Sequence, residues 1–220
     1  MHLRHVLIAG FVSAFMGAAL AQAPAKLAID FEKFAPGASP VGFTSHLTGQ
    51  GTAGKWEIRV DSSAPSGPKV LAQTSTDPTD YRFPVLVYDG FTAKDVEVSV
   101  GCKAVAGKVD QACGVVARFA DKNNYYIARA NALENNVRLY HVVAGRRVQF
   151  AGTNHTVTSG EWHTLALEIK GAHFRVLFDG KLLFEADDKT IAGAGKVGVW
   201  TKADSVTHFD NFSAVSLDAK

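Results

Sequence analysis

The stretch DVEVSVGC, residues 95–102, alternates apolar and polar side chains at almost every step, the period of an extended strand with one buried face. The same habit recurs in GVVARFA (114–120), YYIARA (125–130), NVRLYHVV (136–143), RRVQFAG (146–152), WHTLALEIKG (162–171), HFRVLFDGKLLFEA (173–186) and GKVGVWT (195–201). No stretch longer than about ten residues places apolar side chains at helical spacing. Turn signals separate the runs: Asp121-Lys122-Asn123-Asn124, Ala144-Gly145 and Asp179-Gly180. The last is a strong hairpin signal, because a type I′ turn needs positive φ at both central residues. An all-β chain is expected. Residues 36–80 are rich in Gly, Pro, Ser and Thr, with strands expected only around 56–60 and 70–73; they read as long loops crossing between sheets.

The chain opens with MHLRHVLIAGFVSAFMGAALAQA: a basic start, a short uncharged apolar run and small residues ending at Ala21. This reads as a secretory signal peptide over residues 1–21, leaving 22–220 as one β-sandwich domain that is periplasmic or secreted. Removing it costs one basic residue, Arg4, of 23, against 21 acidic ones. Near-neutral charge without a lysine-rich run excludes nucleic acid as the main partner, and no membrane partner is expected once the leader is gone.

The two cysteines give a register. If Cys102 and Cys113 face each other across a hairpin, Val100 faces Val115, Val98 faces Ala117 and Val96 faces Phe119 on one side, while Glu97 faces Arg118 on the other. An exported chain permits that disulfide. Zinc is excluded, since two cysteines without histidine at ligand spacing complete no site.

Extending the register across the next turns pairs Phe119 with Tyr126 and Val115 with Ala130, and separates a dry face from a polar one. Arg118, Tyr125, Ile127 and Arg129 share the polar side, as do Arg138, Tyr140, Val142, Arg147 and Gln149; Val137, Leu139, His141, Val148 and Phe150 take the other. Arg interleaved with Tyr offers planar groups that stack on or hydrogen-bond sugars; a solvated face with cation–π pairs is the plainer alternative. Two antiparallel sheets packed face to face, a jelly-roll sandwich with one sheet more curved, would carry a ligand on the concave face. In GKVGVWT, Gly195 and Gly198 beside Trp200 would leave a flat, open approach to the indole. The expected carbohydrate-binding residues are Glu97, Arg118, Tyr125, Arg129, Arg138, Tyr140 and Trp200.

These blocks in this order, with GEWHTLALEIKG (160–171), FRVLFDGKLLFEADD (174–188), GKVGVWTKADSVTHFDNFSA (195–214) and the opening LAIDFEKFAPGASPVGF (27–43), resemble the concanavalin A-like lectin/glucanase superfamily, particularly its 3-keto-disaccharide hydrolase-like branch. The resemblance implies a concanavalin A-like jelly roll and, from the branch alone, a hydrolase or lyase acting on 3-keto-disaccharides. The Glu-x-Asp-x-x-Glu or Glu-x-Asp-x-Glu strand of the superfamily's glucanases, which aims two glutamates at one bond, is absent; DFEK (Asp30, Glu32) and FEADD (Glu185, Asp187, Asp188) lack the second glutamate at the needed spacing. His141 and His163 fall on core-facing positions and read as satisfied histidines, so no catalytic residue is assigned. The readings are thus a carbohydrate-binding domain, an enzyme on oxidised sugars, and a structural or adhesion domain without a site. Asp210, in THFDNF, sits in what should be an apolar closing strand beside the opening one. Its partner is either a calcium ion, resembling the structural calcium of glucanase members, or backbone N–H groups of a turn near Gly37 or Gly54.

Overall fold

A computed structural model describes residues 25–218; the expected signal peptide, residues 1–21, lies outside them. Among the described residues there are fifteen strands and no helix, in two antiparallel sheets. With strands numbered in chain order, the first sheet runs β13 (Lys181–Asp187), β12 (His173–Phe178), β11 (Trp162–Lys170), β6 (Val96–Ala106), β15 (Val206–Ser216), β4 (Lys69–Gln73), β3 (Trp56–Val60), and β1 (Lys26–Ile29) also pairs with β15. The second runs β10 (Arg146–Asn154), β9 (Asn136–Val143), β8 (Asn124–Asn131), β7 (Ala112–Asp121), β14 (Gly195–Trp200), β5 (Arg82–Ala93), β2 (Phe43–Gly49). The expected all-β jelly-roll sandwich is what forms.

The alternation dictates the core. Val96, Val98 and Val100 of β6 and Leu165, Leu167 and Ile169 of β11 pack against Val115 and Ala117 of β7 and Val197 and Val199 of β14, all buried. Each large aliphatic side chain so placed contributes roughly 1.5–3 kcal/mol of transfer free energy. The terminal strands pair as expected, Ile29 opposite Phe212. The two two-residue turns expected from sequence have positive φ at both central residues: 48° and 74° at Asp179 and Gly180, 50° and 78° at Ala144 and Gly145. The strand β2, FTSHLTG, was not expected; its polar sequence hides an edge strand that pairs with β5.

Cys102 and Cys113 are bonded, with Cα atoms 6.3 Å apart, but not across a hairpin. β6 lies in the first sheet, with Val98 opposite Leu167 and Ala214, and β7 lies in the second, with Val115 opposite Ala128 and Val199. The disulfide is a staple between sheets. Residues 107–111 step from one sheet to the other where a turn back was expected. Alternation says which residues face the core, but not which strand lies alongside.

A second departure lies in β7. Ala117 opposes Tyr126 and Val115 opposes Ala128, two residues off the expected pairing, while Asp121 opposes Asn124. The irregularity between them puts Arg118 at φ 49°. Arg118 and Phe119 exchange faces as a result: Phe119 joins the cluster on the outer face of the sheet, and Arg118 turns toward the end of the sandwich.

Candidate functional site

The outward face of the second sheet is a deep trough. β8 and β2 are four strand steps apart, about 19 Å in a flat sheet. Yet the Tyr125 hydroxyl lies 2.7 Å from Thr48 Oγ1. Tyr81, just before β5, donates at 3.1 Å to the Gly145 carbonyl in the β9–β10 turn, and the Arg147 N–H donates at 2.8 Å to the Tyr81 hydroxyl. Only a sheet curled until its opposite corners meet allows such bonds. The register lines up one row across it: Val85, Trp200, Gly114, Arg129, Arg138, Gly152. The next row runs Val87, Gly198, Val116, Ile127, Tyr140, Gln149.

Half of the trough is filled by its own side chains. Phe83, Val85, Val116, Phe119, Tyr125, Ile127 and Trp200 belong to a buried cluster separate from the sandwich core. Trp200 is fully buried and stacks on Phe83 with ring centroids 5.3 Å apart, so the open approach expected for the indole does not exist. The flanking glycines serve the backbone instead. A Cβ on Gly198 would lie 2.3 Å from the Leu86 carbonyl oxygen, and one on Gly195 2.3 Å from the Arg118 carbonyl carbon. The glycine that makes room for the indole is Gly114 on β7, whose Cβ would lie 3.1 Å from Trp200 Cβ.

Of the residues expected to bind ligand, Tyr125, Arg129, Arg138, Tyr140 and Trp200 share this face, with Tyr125 and Trp200 in its filled half. Glu97 and Arg118 do not join them. Glu97 sits on β6, opposite Glu168 and Val215, exposed on the far side of the first sheet. Arg118 is buried and donates to the carbonyls of Lys94, Ile191 and Gly171 and to Asp95, tying loops together.

The other half of the trough is polar, and turns supply much of it. Arg129 donates to Glu134, in the β8–β9 connection, at 2.8 Å and to Asn136 at the start of β9. Beside them the buried Asp110 accepts from Asn131 at 2.8 Å and lies 3.0 Å from Lys202, whose ammonium also reaches Asp80. Asp110, Glu134, Asn131, Asn136 and Lys202 were missed; the one visible signal was the run of polar residues in ANALENN. Burial pushes the Asp110 carboxyl above the usual carboxylate range against the pull of Lys202 and Arg129. Burial pushes Glu134 the same way, but the bonds from Asn136 and Arg129 outweigh it and hold the carboxyl low. The Arg147 guanidinium lies over Tyr140 and Phe83, 4.6 and 4.5 Å from the ring centroids. Two buried nitrogens in this polar half, Arg129 Nε and Arg147 Nη1, have no acceptor among the described residues.

The carboxylates and histidines weighed from sequence have structural partners elsewhere. Glu32 accepts from the Lys69 N–H, Glu185 pairs with Arg175, and Asp188 accepts from Tyr126. His141 and His163 are half-buried near the sandwich ends rather than in its core, bonded to Asp188 at 3.2 Å and Asp179 at 2.8 Å. The Asp210 carboxylate accepts from the Ser66 N–H at 3.0 Å and the Ser66 hydroxyl at 2.7 Å, and from the Asn211 N–H at 2.7 Å. The turn that reaches it is thus the one between β3 and β4, not one near Gly37 or Gly54. Among the described residues no group of three or more His, Cys, Asp or Glu side chains is placed to hold a metal.

A curled jelly-roll sandwich with a polar trough defines the class: a concanavalin A-like fold. The chain belongs to the family described as galactocerebrosidase, C-terminal lectin domain, whose model matches residues 93–217. Among solved structures it is similar to the carbohydrate-binding module CBM66 from Bacillus subtilis, with a TM-score of 0.63 and 18% identity over 80% of this chain and 96% of that one. It is also similar to a Bacillus licheniformis β-glucanase, with a TM-score of 0.57 and 12% identity over 90% and 99%. A Bacillus subtilis protein of unknown function with a galectin-like fold gives 0.56 and 12% over 78% and 89%. At these identities the likeness is one of fold. No curated protein matches the sequence.

Proposed function

We propose that the protein is an exported carbohydrate-binding domain that recognises a saccharide on the concave face of its second sheet, in the polar half around Arg129, Arg138, Tyr140 and Arg147. The observation that carries this reading is the set of buried N–H groups without acceptors. Each costs about 1–3 kcal/mol if left unpaired, and native folds keep few of them. Here they gather at the floor of a trough whose rim, Arg138, Arg147, Gln149 and Glu134, stays wholly or partly open to water. A sugar supplies what that floor lacks, namely oxygen acceptors. The lectin description of the family and the carbohydrate-binding module of similar fold point the same way. The test is binding of the whole protein to an array of glycans, with Arg129→Ala and Tyr140→Ala each expected to weaken capture about tenfold or more. Unchanged binding in both variants, with melting curves showing an intact fold, would refute the site.

A second reading, a hydrolase or lyase on 3-keto-disaccharides, draws on Asp110, a buried carboxyl that desolvation raises above the usual carboxylate range and that lies 3.0 Å from the Lys202 ammonium, the kind of acid–base pair such chemistry uses. Lack of turnover of a panel of 3-keto-disaccharides by the wild-type protein would remove it.

A further inference from the structure

We infer that the saccharide held in this trough carries an anionic group, a carboxylate or a sulfate ester, that pairs with Arg147. The inference rests on the concave-face reading above and adds the chemical class of the ligand.

Three arginines, Arg129, Arg138 and Arg147, crowd the polar half of the face, and among the described residues the only one of them in an ion pair is Arg129, with Glu134. Arg129 and Arg138 stand directly opposite each other on β8 and β9, an arrangement that costs free energy when both are charged. Arg138 donates to a neutral amide, Asn154, at 2.7 Å. Arg129 and Arg147 lie over the same ring, 5.6 and 4.6 Å from the Tyr140 centroid.

Arg147 is the least compensated. Its neighbours are the rings of Phe83, Tyr140 and Trp200, which attract a cation but do not neutralise it. Withdrawal from water depresses its pKa, the mark of a cation short of counter-charge. Other buried cations are answered: Lys202 by Asp80 and Asp110, Arg118 by three carbonyls and Asp95, Arg82 by three carbonyls, a serine hydroxyl and Asp77 at 3.8 Å. Arg129, only 2% exposed, adds its unpartnered Nε to the unpartnered Nη1 of Arg147. A neutral hydroxyl would satisfy these hydrogen bonds and leave the charge. A carboxylate or sulfate satisfies both, and the planar guanidinium fork suits two oxygens of one anionic group.

The experiment uses the full chain on matched glycan pairs: oligouronates against their carboxyl-reduced forms, and sulfated oligosaccharides against their desulfated forms, each at low and high salt. The expected result is at least about tenfold tighter binding of the charged member in one of the two series, shrinking as salt rises. The series that shows it identifies carboxylate or sulfate. In Arg147→Gln the charged-to-neutral ratio should fall close to one. Equal binding of charged and neutral members, or a preference that salt and Arg147→Gln leave unchanged, would overturn the anionic ligand and leave the concave-face reading standing. Capture of no glycan of either kind would overturn that reading and this inference with it. If Arg147→Gln fails to fold, the salt dependence of the wild-type ratio decides.

Discussion

A carboxylate between Phe209 and Phe212 poses the residue-scale problem most sharply, because an uncompensated charge there costs several kcal/mol. Asp210 is fully buried, and both of its oxygens already accept hydrogen bonds from Ser66. Calcium takes six to eight oxygen ligands, whereas here both carboxylate oxygens are already engaged by Ser66, and among the described residues no group of three or more His, Cys, Asp or Glu side chains gathers to hold an ion. Protein stripped of metal is therefore expected to melt at the same temperature with excess calcium or with chelator; a rise with calcium would return an ion to this turn. Asp210→Asn should lower stability by about 1–3 kcal/mol in urea unfolding through the loss of charge-assisted bonds. That an aspartate in THFDNF needs a partner can be read from the sequence. That the partner is Ser66 cannot, since the turn reaching it is 144 residues away in the chain.

Among elements, β6, β7 and the disulfide show what alternation does and does not encode. Period two identified the inward valines of both strands correctly. It could not distinguish a hairpin from a step between sheets, and the cysteines fitted both, because inward residues of facing sheets also come within bonding range. The irregularity at Arg118 left no mark either: ARF reads as plain strand, and only the φ of 49° reveals the exchange of faces. The alternating polar set on β8 and β9 was legible as one surface, while the Asp110 and Lys202 side of the site was not, because it comes from turns. Replacing both cysteines with serine is expected to cost about 2–4 kcal/mol in denaturant unfolding, the usual worth of a short-loop bridge. A double variant as stable as wild type would mean that the two sheets need no staple.

For the whole molecule, the carboxyl groups that depart clearly from ordinary values are held low, with Asp110 the exception. At Asp61 burial works upward, but bonds from Lys103, His208 and Ser63 prevail; at His208 burial prevails and lowers the imidazole. Both groups bind protons more weakly folded than unfolded. Their contributions are complete above the unfolded values, about 6.5 for histidine and 4 for aspartate, and are lost as pH falls through the folded ones. The urea midpoint should thus begin to drop below about pH 6.5 and fall steeply below about pH 4, with Asp61→Asn flattening the lower limb; a midpoint constant down to pH 3 would contradict it.

The trough also changes how the second sheet finds its register. Where one face of a sheet meets water, a slipped strand exposes apolar side chains and is rejected on polarity. In β7, β8 and β14 long parts of both faces are dry, so a slip can exchange oil for oil, and polarity loses much of its power to choose. What remains is size. The space over Gly114 accepts the Trp200 indole only in this alignment, which makes that pair a notch and tooth, and makes one absent methyl group part of the address system of the sheet.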